Sequence, residues 1–463
     1  MRSSSYLREH QQYRPPKHPE SHFGIDTVVE DLDVPRSPNR KSIAAFNGIP
    51  DEKNPPTIVE GMSHDLSHQN CVAPAGKKTT RLVATILYKP VCSHSNGLAP
   101  ASPQHASSLS AGESSQESIP ANLAPTTSMD KFPLEPPSES EPEPLDHLYG
   151  SYISPFCVAS FLHLMSTFPF PLGETDLTSS HRCLDDPEHP HVVELTLSPA
   201  PASEYLSLVD LRKHELINRF EREWNVDVIL QLDSPLRRHP RLVVFDMDST
   251  LITQEVIDLM AATIKDPPDL ASKIAEITHR AMLGELEFDG AFRERVKLLT
   301  GLSADIFTDL RAVLDVTKGV RELMPVLKRL GVKTAVLSGG FLPLTRWLAG
   351  ELGIDHAHAN EVVIDEATNK LTGEVKGTIV GKERKKELLL EIAEKEGVDL
   401  SQVIAVGDGA NDLLMMGAAG LGVAWHAKPV VQMEASARLN TTSLLDLLYV
   451  FGFTREEIEM LQG

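Results

Sequence analysis

Two aspartates, Asp246 and Asp248, are separated by one residue and directly follow the short apolar run 242–245. If that run is a strand, both carboxylates can face one crevice where the strand leaves its sheet. One carboxylate could attack phosphorus and form an aspartyl-phosphate, while the other trades a proton with the leaving oxygen. The same residues also fit a polar strand end followed by a turn, so the pair alone does not decide the chemistry.

Two further polar clusters follow apolar runs later in the chain. The first contains Ser338 and Gly339, where a hydroxyl and a glycine N–H could approach a phosphoryl group closely because no Cβ intervenes. The second, within residues 407–416, supplies Asp408 and Asp412, whose carboxylates are hard oxygen ligands suited to Mg²⁺. By itself the first cluster also fits a simple turn, and Asp412 also fits a helix cap.

A basic run, residues 381–386, opens a predicted helix over residues 387–397 and contains Lys382, Lys385 and Lys386. A lysine here could neutralise the oxygens of a transferring phosphoryl group. Most lysines in such a run face solvent, so we expect at most one to be catalytic, and the spacing leaves open which one.

The elements around these clusters predict a doubly wound α/β domain with a parallel sheet. Short β-rich runs at 242–245, 333–338 and 403–408, which end at polar residues, alternate with amphipathic helical segments, as in sheets buried on both faces. Ligands bind such sheets at the carboxyl ends of the strands. All three clusters that follow these runs are therefore expected at one edge of the sheet.

The chain has 463 residues, too many for one ordinary core, because domains seldom exceed about 250 residues. We predict a disordered tail at 1–78, a small ferredoxin-like domain at 79–232 with a disordered insertion at about 93–144, and the α/β domain at 233–463. The βαββαβ order of the small domain rests on strand 81–89, helix 154–168, strand 191–200, helix 204–224 and strand 226–232, with one weak strand expected near 168–172.

Composition narrows the class of protein. The formal net charge of −21 opposes binding to nucleic acid or to an anionic membrane surface. No run approaches the ~20 apolar residues that span a bilayer, and residues 1–20 lack the apolar core of a signal peptide. The four cysteines lack the paired spacing of a zinc site and indicate a reducing compartment, so we expect a cytosolic enzyme; they are Cys71, Cys92, Cys157 and Cys183.

From about 242 to 458, the clusters and their spacing resemble the haloacid dehalogenase superfamily, and within it the phosphoserine phosphatases. The resemblance implies that Asp246 is the nucleophile and that Asp248 is the general acid and base. It implies a Mg²⁺ ion held by Asp408, by an Asp246 oxygen and by the main-chain carbonyl of Asp248. The resemblance also places these enzymes at the last step of the phosphorylated pathway of serine biosynthesis.

The same resemblance assigns the phosphate-binding residues. Ser338 and Gly339 would hold the phosphoryl group, with Asn411 and Asp412 ordering the site around the metal. Among the three lysines of the basic run, Lys385 fits the family position best, although its two neighbours are close enough to leave the choice open.

Residues 254–316 resemble the helical cap of the family, which covers the site and selects the substrate. Glu255 and Arg295 match its substrate-binding residues, and Met282 and Phe288 match the apolar residues that shield the pocket. O-Phospho-L-serine carries an ammonium and a carboxylate, so one acidic and one bidentate basic partner would complement it. Without the resemblance, the two charged residues would also fit surface ion pairs and the two apolar residues an ordinary core.

The small domain resembles the ACT-like modules that precede some of these catalytic domains, which implies serine binding, and a purely structural role or a role in homodimerisation is at least equally open. Two other functions are also kept open: a related phosphatase or phosphotransferase acting on another small phosphomonoester, and a catalytically silent amino-acid sensor. A transport ATPase is set aside because Asp248 is present and membrane helices are not.

Overall fold

The computed structural model describes residues 80–89, 144–172, 177–263, 272–274, 276–277, 280 and 287–463. The predicted tail and all but the last residue of the predicted insertion lie outside these residues, as does Met282. Cys157 and Cys183 are free thiols, and both are buried. Among the described helices, none is long and apolar enough to cross a membrane.

The N-terminal unit is an antiparallel sheet of four strands in the order β2-β3-β1-β4, with its helices packed on one face. This order and pairing are the ferredoxin-like arrangement predicted from the βαββαβ pattern. Its elements are β1 (Leu82–Tyr88), α1 (Asp146–Tyr149), α2 (Pro155–Met165), β2 (Thr178–Cys183), β3 (Val192–Ser198), α3 (Leu208–Arg212), α4 (Glu215–Glu223) and β4 (Val226–Leu232).

The prediction of a weak strand near residues 168–172 is wrong, because the second strand lies at Thr178–Cys183 instead. Residues 168–172 contain Pro169 and Pro171, which have no N–H to donate to a sheet. The true strand has the sequence TSSHRC, which is too polar for an apolar pattern to reveal. Its last four residues are nevertheless buried.

The single helix expected over residues 204–224 is divided into α3 and α4. Each part has its own N-cap: the Ser207 side chain accepts a hydrogen bond from Asp210 N–H, and the His214 side chain accepts one from Leu216 N–H. Such caps satisfy N–H groups that have no partner within a helix. The segment therefore contains two helix N-termini and forms two short helices instead of one continuous helix.

The C-terminal unit is built on a seven-stranded sheet in the order β11-β10-β9-β5-β6-β7-β8. All neighbouring pairs are parallel except β7–β8, which is antiparallel. The predicted doubly wound fold is confirmed. The strands are β5 (Leu242–Phe245), β6 (Lys333–Phe341), β7 (His356–Asp365), β8 (Lys370–Lys376), β9 (Val403–Gly407), β10 (Leu421–Trp425) and β11 (Ala437–Leu439).

Helices cover this sheet, and the described part of the expected cap, between β5 and β6, includes α5 (Val256–Thr263), α6 (Phe288–Leu298) and α7 (Ile306–Leu310). Residues 272–274 are helical as well. The remaining helices are α8 (Val320–Arg329), α9 (Leu342–Leu352), α10 (Lys382–Glu396), α11 (Leu413–Ala418), α12 (Pro429–Glu434), α13 (Leu447–Val450) and α14 (Arg455–Gln462).

The register of the central strands brings the three polar clusters together. Phe245, the last residue of β5, lies beside Val336 of β6 and Val406 of β9. Because the strands are parallel, the residues that follow each of them emerge at the same edge of the sheet.

The two segments that connect the sheet to the expected cap are bonded to each other. Ile252 and Val316 form an antiparallel bridge, and the Gln254 side chain donates to Asp315 Oδ2 at 2.9 Å while accepting from Asp315 N–H at 3.0 Å. These bonds hold the cap to the sheet through two adjacent segments, close to the predicted limits 254–316.

The second face of the N-terminal sheet packs on the α/β unit. Glu194 on this face is buried between two arginines, with Arg182 Nε at 3.0 Å and Arg237 Nη2 at 2.6 Å. Both arginines also donate to main-chain carbonyls of the α/β unit, at Gly452 and Val450. The two units are therefore joined by a buried network of charged hydrogen bonds.

Candidate active site

An ion pair between Lys385 and two aspartates lies at the carboxyl edge of the sheet. Lys385 Nζ is 2.7 Å from Asp246 Oδ1 and 2.7 Å from Asp412 Oδ1, and the lysine is fully buried. Burial lowers the pKa of the ammonium, but the two carboxylates raise it by more, so its pKa lies above its ordinary value. Lys382 and Lys386 are exposed, so the structure brings only Lys385 of the three into this cluster.

Asp408 adds a third carboxylate to the cluster. One oxygen from each of Asp246, Asp408 and Asp412 lies within 4.8 Å of the others. Burial raises the pKa of Asp408 to about 8, and the negative charges of Asp246 and Asp412 contribute to the rise. Thr250 Oγ1 donates to Asp408 Oδ1 at 3.4 Å. This concentration of negative charge is what a divalent cation requires.

Asp248 lies half-buried in the turn after β5, and its Oδ1 is buried with no hydrogen-bond partner among the described residues. Burial raises the pKa of the Asp248 carboxyl well above its usual range, and the carboxylates of Glu255 and Asp246 raise it further. A carboxyl that keeps its proton near neutral pH can donate that proton to a leaving oxygen.

The segment from Ser338 to Gly340 lies beside the two aspartates of the turn. Ser338 is fully buried, and its Oγ accepts a hydrogen bond from Gly340 N–H at 2.9 Å. A Cβ at Gly340 would lie 3.1 Å from Asp248 Oδ2, so the absence of a side chain permits this close approach.

Gly409 and Asn411 lie in the turn that follows Asp408. Gly409 N–H donates to Asp412 Oδ2 at 3.1 Å, so Asp412 caps the turn as well as pairing with Lys385. Asn411 is half-buried, and its Oδ1 would contact any Cβ placed on Gly409. The turn therefore holds Asn411 next to the carboxylate cluster.

The predicted cap residues face the site to different degrees. Glu255 is exposed and accepts a hydrogen bond from Ser249 Oγ at 2.8 Å, which ties it to the turn of Asp248. Arg295 is half-buried, with its guanidinium carbon 6.0 Å from the centre of the Phe292 ring. Burial lowers the pKa of the Arg295 guanidinium, and the charge of Glu255 opposes that shift.

Phe288 is half-buried and stacks on Phe292, with ring centres 6.3 Å apart. A Cβ on Gly339 would lie 3.1 Å from Phe288 Cζ, so this cap ring reaches the phosphate-binding segment predicted from the sequence. Of the predicted pocket residues, only Met282 lies outside the described part of the chain.

Two residues near the site were missed by reasoning from the sequence. Thr250 lies inside the aspartate motif and contacts Asp408, so its position in the motif could have indicated it. Asn360 is buried in β7 and hydrogen-bonds to Gly339, but it belongs to no recognised cluster in the sequence.

Comparison with known proteins identifies the family of the α/β unit. The family model for haloacid dehalogenase-like hydrolases matches residues 243–417. The phosphoserine phosphatase of Saccharomyces cerevisiae is 44% identical over 247 residues, which cover 53% of this chain and 78% of the yeast protein. The phosphoserine phosphatase of Streptomyces coelicolor is 47% identical over 234 residues, covering 50% of this chain and 56% of that protein.

Among solved structures, a haloacid dehalogenase family hydrolase of Salmonella enterica serovar Typhi is 30% identical, with a TM-score of 0.50. The match covers 59% of this chain and 90% of that structure. These matches confirm the fold and the superfamily predicted from the sequence. The chain therefore belongs to the phosphoserine phosphatases of the haloacid dehalogenase-like hydrolase family.

Proposed function

We propose that this protein hydrolyses O-phospho-L-serine to L-serine and inorganic phosphate, as the last step of the phosphorylated pathway of serine biosynthesis. The observation that carries the proposal is the buried Lys385 shared by Asp246 and Asp412 at the carboxyl edge of the sheet. The relatives from yeast and Streptomyces, both phosphoserine phosphatases by name, support the choice of substrate.

In the first step Asp246 attacks phosphorus, so that a bond forms from its carboxylate to phosphorus as the bond from phosphorus to the seryl oxygen breaks. Asp246 Oδ1 is held by Lys385 Nζ and by Met247 N–H at 2.7 Å, which leaves Oδ2 as the attacking oxygen. The Lys385 ammonium offsets negative charge on the phosphoryl oxygens during transfer.

Asp248 moves the protons of both steps. Its raised pKa keeps a proton available for the departing seryl oxygen. The resulting carboxylate then takes a proton from a water molecule, which attacks phosphorus of the aspartyl-phosphate. That second displacement releases inorganic phosphate, regenerates the Asp246 carboxylate and restores the proton on Asp248.

The donor set fits Mg²⁺. Three carboxylates and one ammonium leave two negative charges in a small buried volume, which one divalent cation would balance. Asp246, Asp408 and the main-chain carbonyl of Asp248 are the proposed ligands, and Asp412, bonded to Lys385 and to Gly409 N–H, would order the site around the metal. When bound, Mg²⁺ would supply Lewis-acid stabilisation of phosphoryl charge.

The cap supports the choice of a small zwitterionic substrate. Glu255 and Arg295 would bind the ammonium and the carboxylate of phosphoserine, and Phe288 would shield the reacting phosphate from water. Ser338, Gly339 and Asn411, around the phosphate, would complete the pocket together with Met282.

The ferredoxin-like pairing of the N-terminal unit supports the proposal that it is an ACT-like module. One face of its sheet packs on its own helices and the other on the α/β unit, an arrangement that favours a structural role over serine binding or dimerisation through either face. Analytical ultracentrifugation with and without L-serine tests this, and a serine-dependent change in mass would contradict a purely structural role.

The proposal is tested by phosphate release from phosphoserine, phosphothreonine, glucose 6-phosphate and p-nitrophenyl phosphate with Mg²⁺ present. We expect the highest kcat/KM for phosphoserine. An equal or higher value for another substrate would favour the alternative, a related phosphatase of different specificity, and no release from any substrate would favour the catalytically silent sensor.

A second test separates recognition from chemistry. Arg295→Ala is expected to raise KM for phosphoserine, because a carboxylate contact made in both the ground and transition states is lost. The same variant should leave KM for p-nitrophenyl phosphate unchanged, since that compound has no α-carboxylate. Unchanged KM values for both substrates would place Arg295 in the scaffold of the cap.

A further inference from the structure

The side-chain amide of Asn360 joins two separate segments of the proposed phosphate site. Asn360 lies in β7 and is 1% exposed. Its Nδ2 donates to the carbonyl oxygen of Gly339 at 2.8 Å, and its Oδ1 accepts from Val380 N–H at 2.7 Å. The Nδ2 and the Oδ1 of one rigid planar amide therefore each bond a different segment, Gly339 within β6 and Val380 just before α10.

The first of these bonds compensates for an irregularity in the sheet. Strand β6 pairs with β7 at Leu337↔His358 and again at Phe341↔Asn360, so β6 has two more residues than β7 in this interval. The extra length lies in the segment that contains Gly339, which thereby leaves the regular ladder. The Asn360 amide supplies a hydrogen bond to the carbonyl oxygen of Gly339 within this irregular stretch.

The second bond fixes the start of the helix that carries Lys385. Val380 immediately precedes Gly381, whose carbonyl oxygen accepts the Lys385 N–H at 2.9 Å in the first turn of α10. The Asn360 bond to Val380 N–H thus fixes this helix start relative to Gly339. A phosphoryl group bound between Gly339 and Lys385 would depend on that spacing.

The cap closes on the same two glycines. A Cβ on Gly339 would lie 3.1 Å from Phe288 Cζ, and a Cβ on Gly381 would lie 3.1 Å from Phe288 Cδ1. One ring of the cap therefore rests on both segments that Asn360 ties together. If the segments move apart, the surface against which Phe288 packs changes as well.

We propose that Asn360 is a positioning residue that sets the distance between the Gly339 segment and the Lys385 helix, and so determines how well the site holds phosphate. This inference rests on the proposed phosphatase function. Asn360 acts through its neighbours and does not itself touch the substrate.

The test compares two buried side-chain amides, one beside the proposed phosphate site and one at the amino edge of the sheet. Asn360→Leu removes both hydrogen bonds at nearly constant volume. The control is Gln402→Met, because Gln402 is also buried and its Nε2 donates to the carbonyl oxygen of His239 at 3.2 Å, just before β9 and away from the proposed site. Both variants are measured for thermal unfolding, for kcat and KM with phosphoserine, and for inhibition by inorganic phosphate and by L-serine.

We expect both variants to lose thermal stability, since each loses buried hydrogen bonds. Only Asn360→Leu should lower kcat, by about tenfold, and raise the inhibition constant of inorganic phosphate by about tenfold, because only it misplaces groups around the phosphate. Inhibition by L-serine, which has no phosphate, should be the same in both variants and in the wild type.

If Asn360→Leu does not fold, Asn360→Ala removes the same bonds without inserting a branched side chain and is measured in its place. A variant with wild-type kcat and wild-type phosphate inhibition would overturn the inference, as would an equal loss in Gln402→Met. Failure of the proposed function looks different, because the wild-type protein itself would then release no phosphate from phosphoserine.

Discussion

Lys385 Nζ lies 2.7 Å from Asp246 Oδ1, and no part of the lysine side chain reaches solvent. A buried ammonium is tolerated only where opposite charges and hydrogen bonds replace its lost hydration. Asp412 supplies the second of these partners, so the proposed nucleophile, the lysine and the carboxylate cluster form one electrostatic unit.

Replacing the lysine should therefore damage both stability and activity. Lys385→Met keeps an unbranched side chain one atom shorter, but leaves Asp246 and Asp412 without their counter-charge. We expect a loss of about 3 kcal/mol in the free energy of unfolding, as for other broken buried pairs, and a fall in kcat of more than about 10²-fold. Urea denaturation and phosphate release measure the two effects.

The matched control is Lys386→Met, one residue further along the helix and exposed to solvent. It should change neither quantity, because surface charges contribute little. If Lys386→Met were the more damaging of the two variants, the assignment of the phosphate-binding lysine would be wrong.

Asp246→Asn tests the proposed nucleophile. The change is isosteric and removes the attacking charge, while Asp412 remains as a counter-charge to Lys385, so we expect less than about a hundredth of wild-type turnover, with the fold retained. The readouts are phosphate release and circular dichroism, with Asp309→Asn on the exposed surface of the cap as the control. Turnover above that level would remove Asp246 from its proposed role.

Metal binding should stabilise the folded protein. A Mg²⁺ concentration 100-fold above its dissociation constant would add about 2.7 kcal/mol by mass action. In Asp408→Asn we expect this Mg²⁺-induced rise in unfolding temperature to disappear, because a proposed ligand is lost. With EDTA present, the same variant should be at least as stable as the wild type, since one of three clustered carboxylates has been removed.

A full Mg²⁺-induced stabilisation in Asp408→Asn would show that the cation binds elsewhere. Mg²⁺ should also protect the wild type more than Ca²⁺ does at equal concentration, because the larger ion requires more oxygen ligands than two carboxylates and one carbonyl supply.

The junction between the two units predicts a stability effect that leaves catalysis intact. Glu194→Gln leaves Arg182 and Arg237 without their shared counter-charge, and we expect a loss of about 3 kcal/mol in the free energy of unfolding. The residue is remote from the proposed site in the chain and in the sheet order, so kcat should not change.

Glu434→Gln is the control for the junction, because Glu434 pairs with Lys213 across the same two units but is exposed. We expect a change below about 0.5 kcal/mol there, as for other surface pairs. Equal losses in the two variants would show that burial of the Glu194 network does not matter. Both variants are compared by urea unfolding.

The central strands and the polar residues at their ends could be predicted from the sequence, for a physical reason. Strands buried on both faces, such as Leu242–Phe245, have unbroken apolar runs, and the polar residues that follow them mark the strand ends. The apolar runs alone were therefore enough to place the carboxylates of Asp246 and Asp408 at one edge of the sheet.

Other features depended on contacts that no local pattern encodes. The strand Thr178–Cys183 is polar and yet buried, because Arg182 hydrogen-bonds to Glu194 and to the distant Gly452 carbonyl. Hydrophobicity could therefore not predict its burial. Likewise, the choice of Lys385 among three nearby lysines follows from which side of helix α10 faces Asp246. Asn360 joins two segments that are far apart in sequence, at Gly339 and at Val380.

A buried histidine outside the proposed site predicts how stability changes with pH. His239 is 7% exposed, and burial lowers its pKa to about 4, with the neighbouring Arg238 charge adding to the shift. In the unfolded chain its pKa returns to about 6.5, so the unfolded state binds the extra proton between these two values. The contribution of His239 to the free energy of unfolding is fully present above about pH 6.5. About 3 kcal/mol of it is lost as the pH falls from there to about 4.

We expect the wild type to lose stability between pH 6.5 and 4.5 more steeply than His239→Gln, whose amide does not titrate. Urea unfolding at several pH values measures the difference, and His163→Asn is the control because His163 is exposed. That control should follow the wild-type curve, because replacing an exposed surface side chain disturbs no buried contact. Parallel curves for the wild type and His239→Gln would mean that His239 accepts its proton without unfolding, and that its burial does not set the acid stability of the protein.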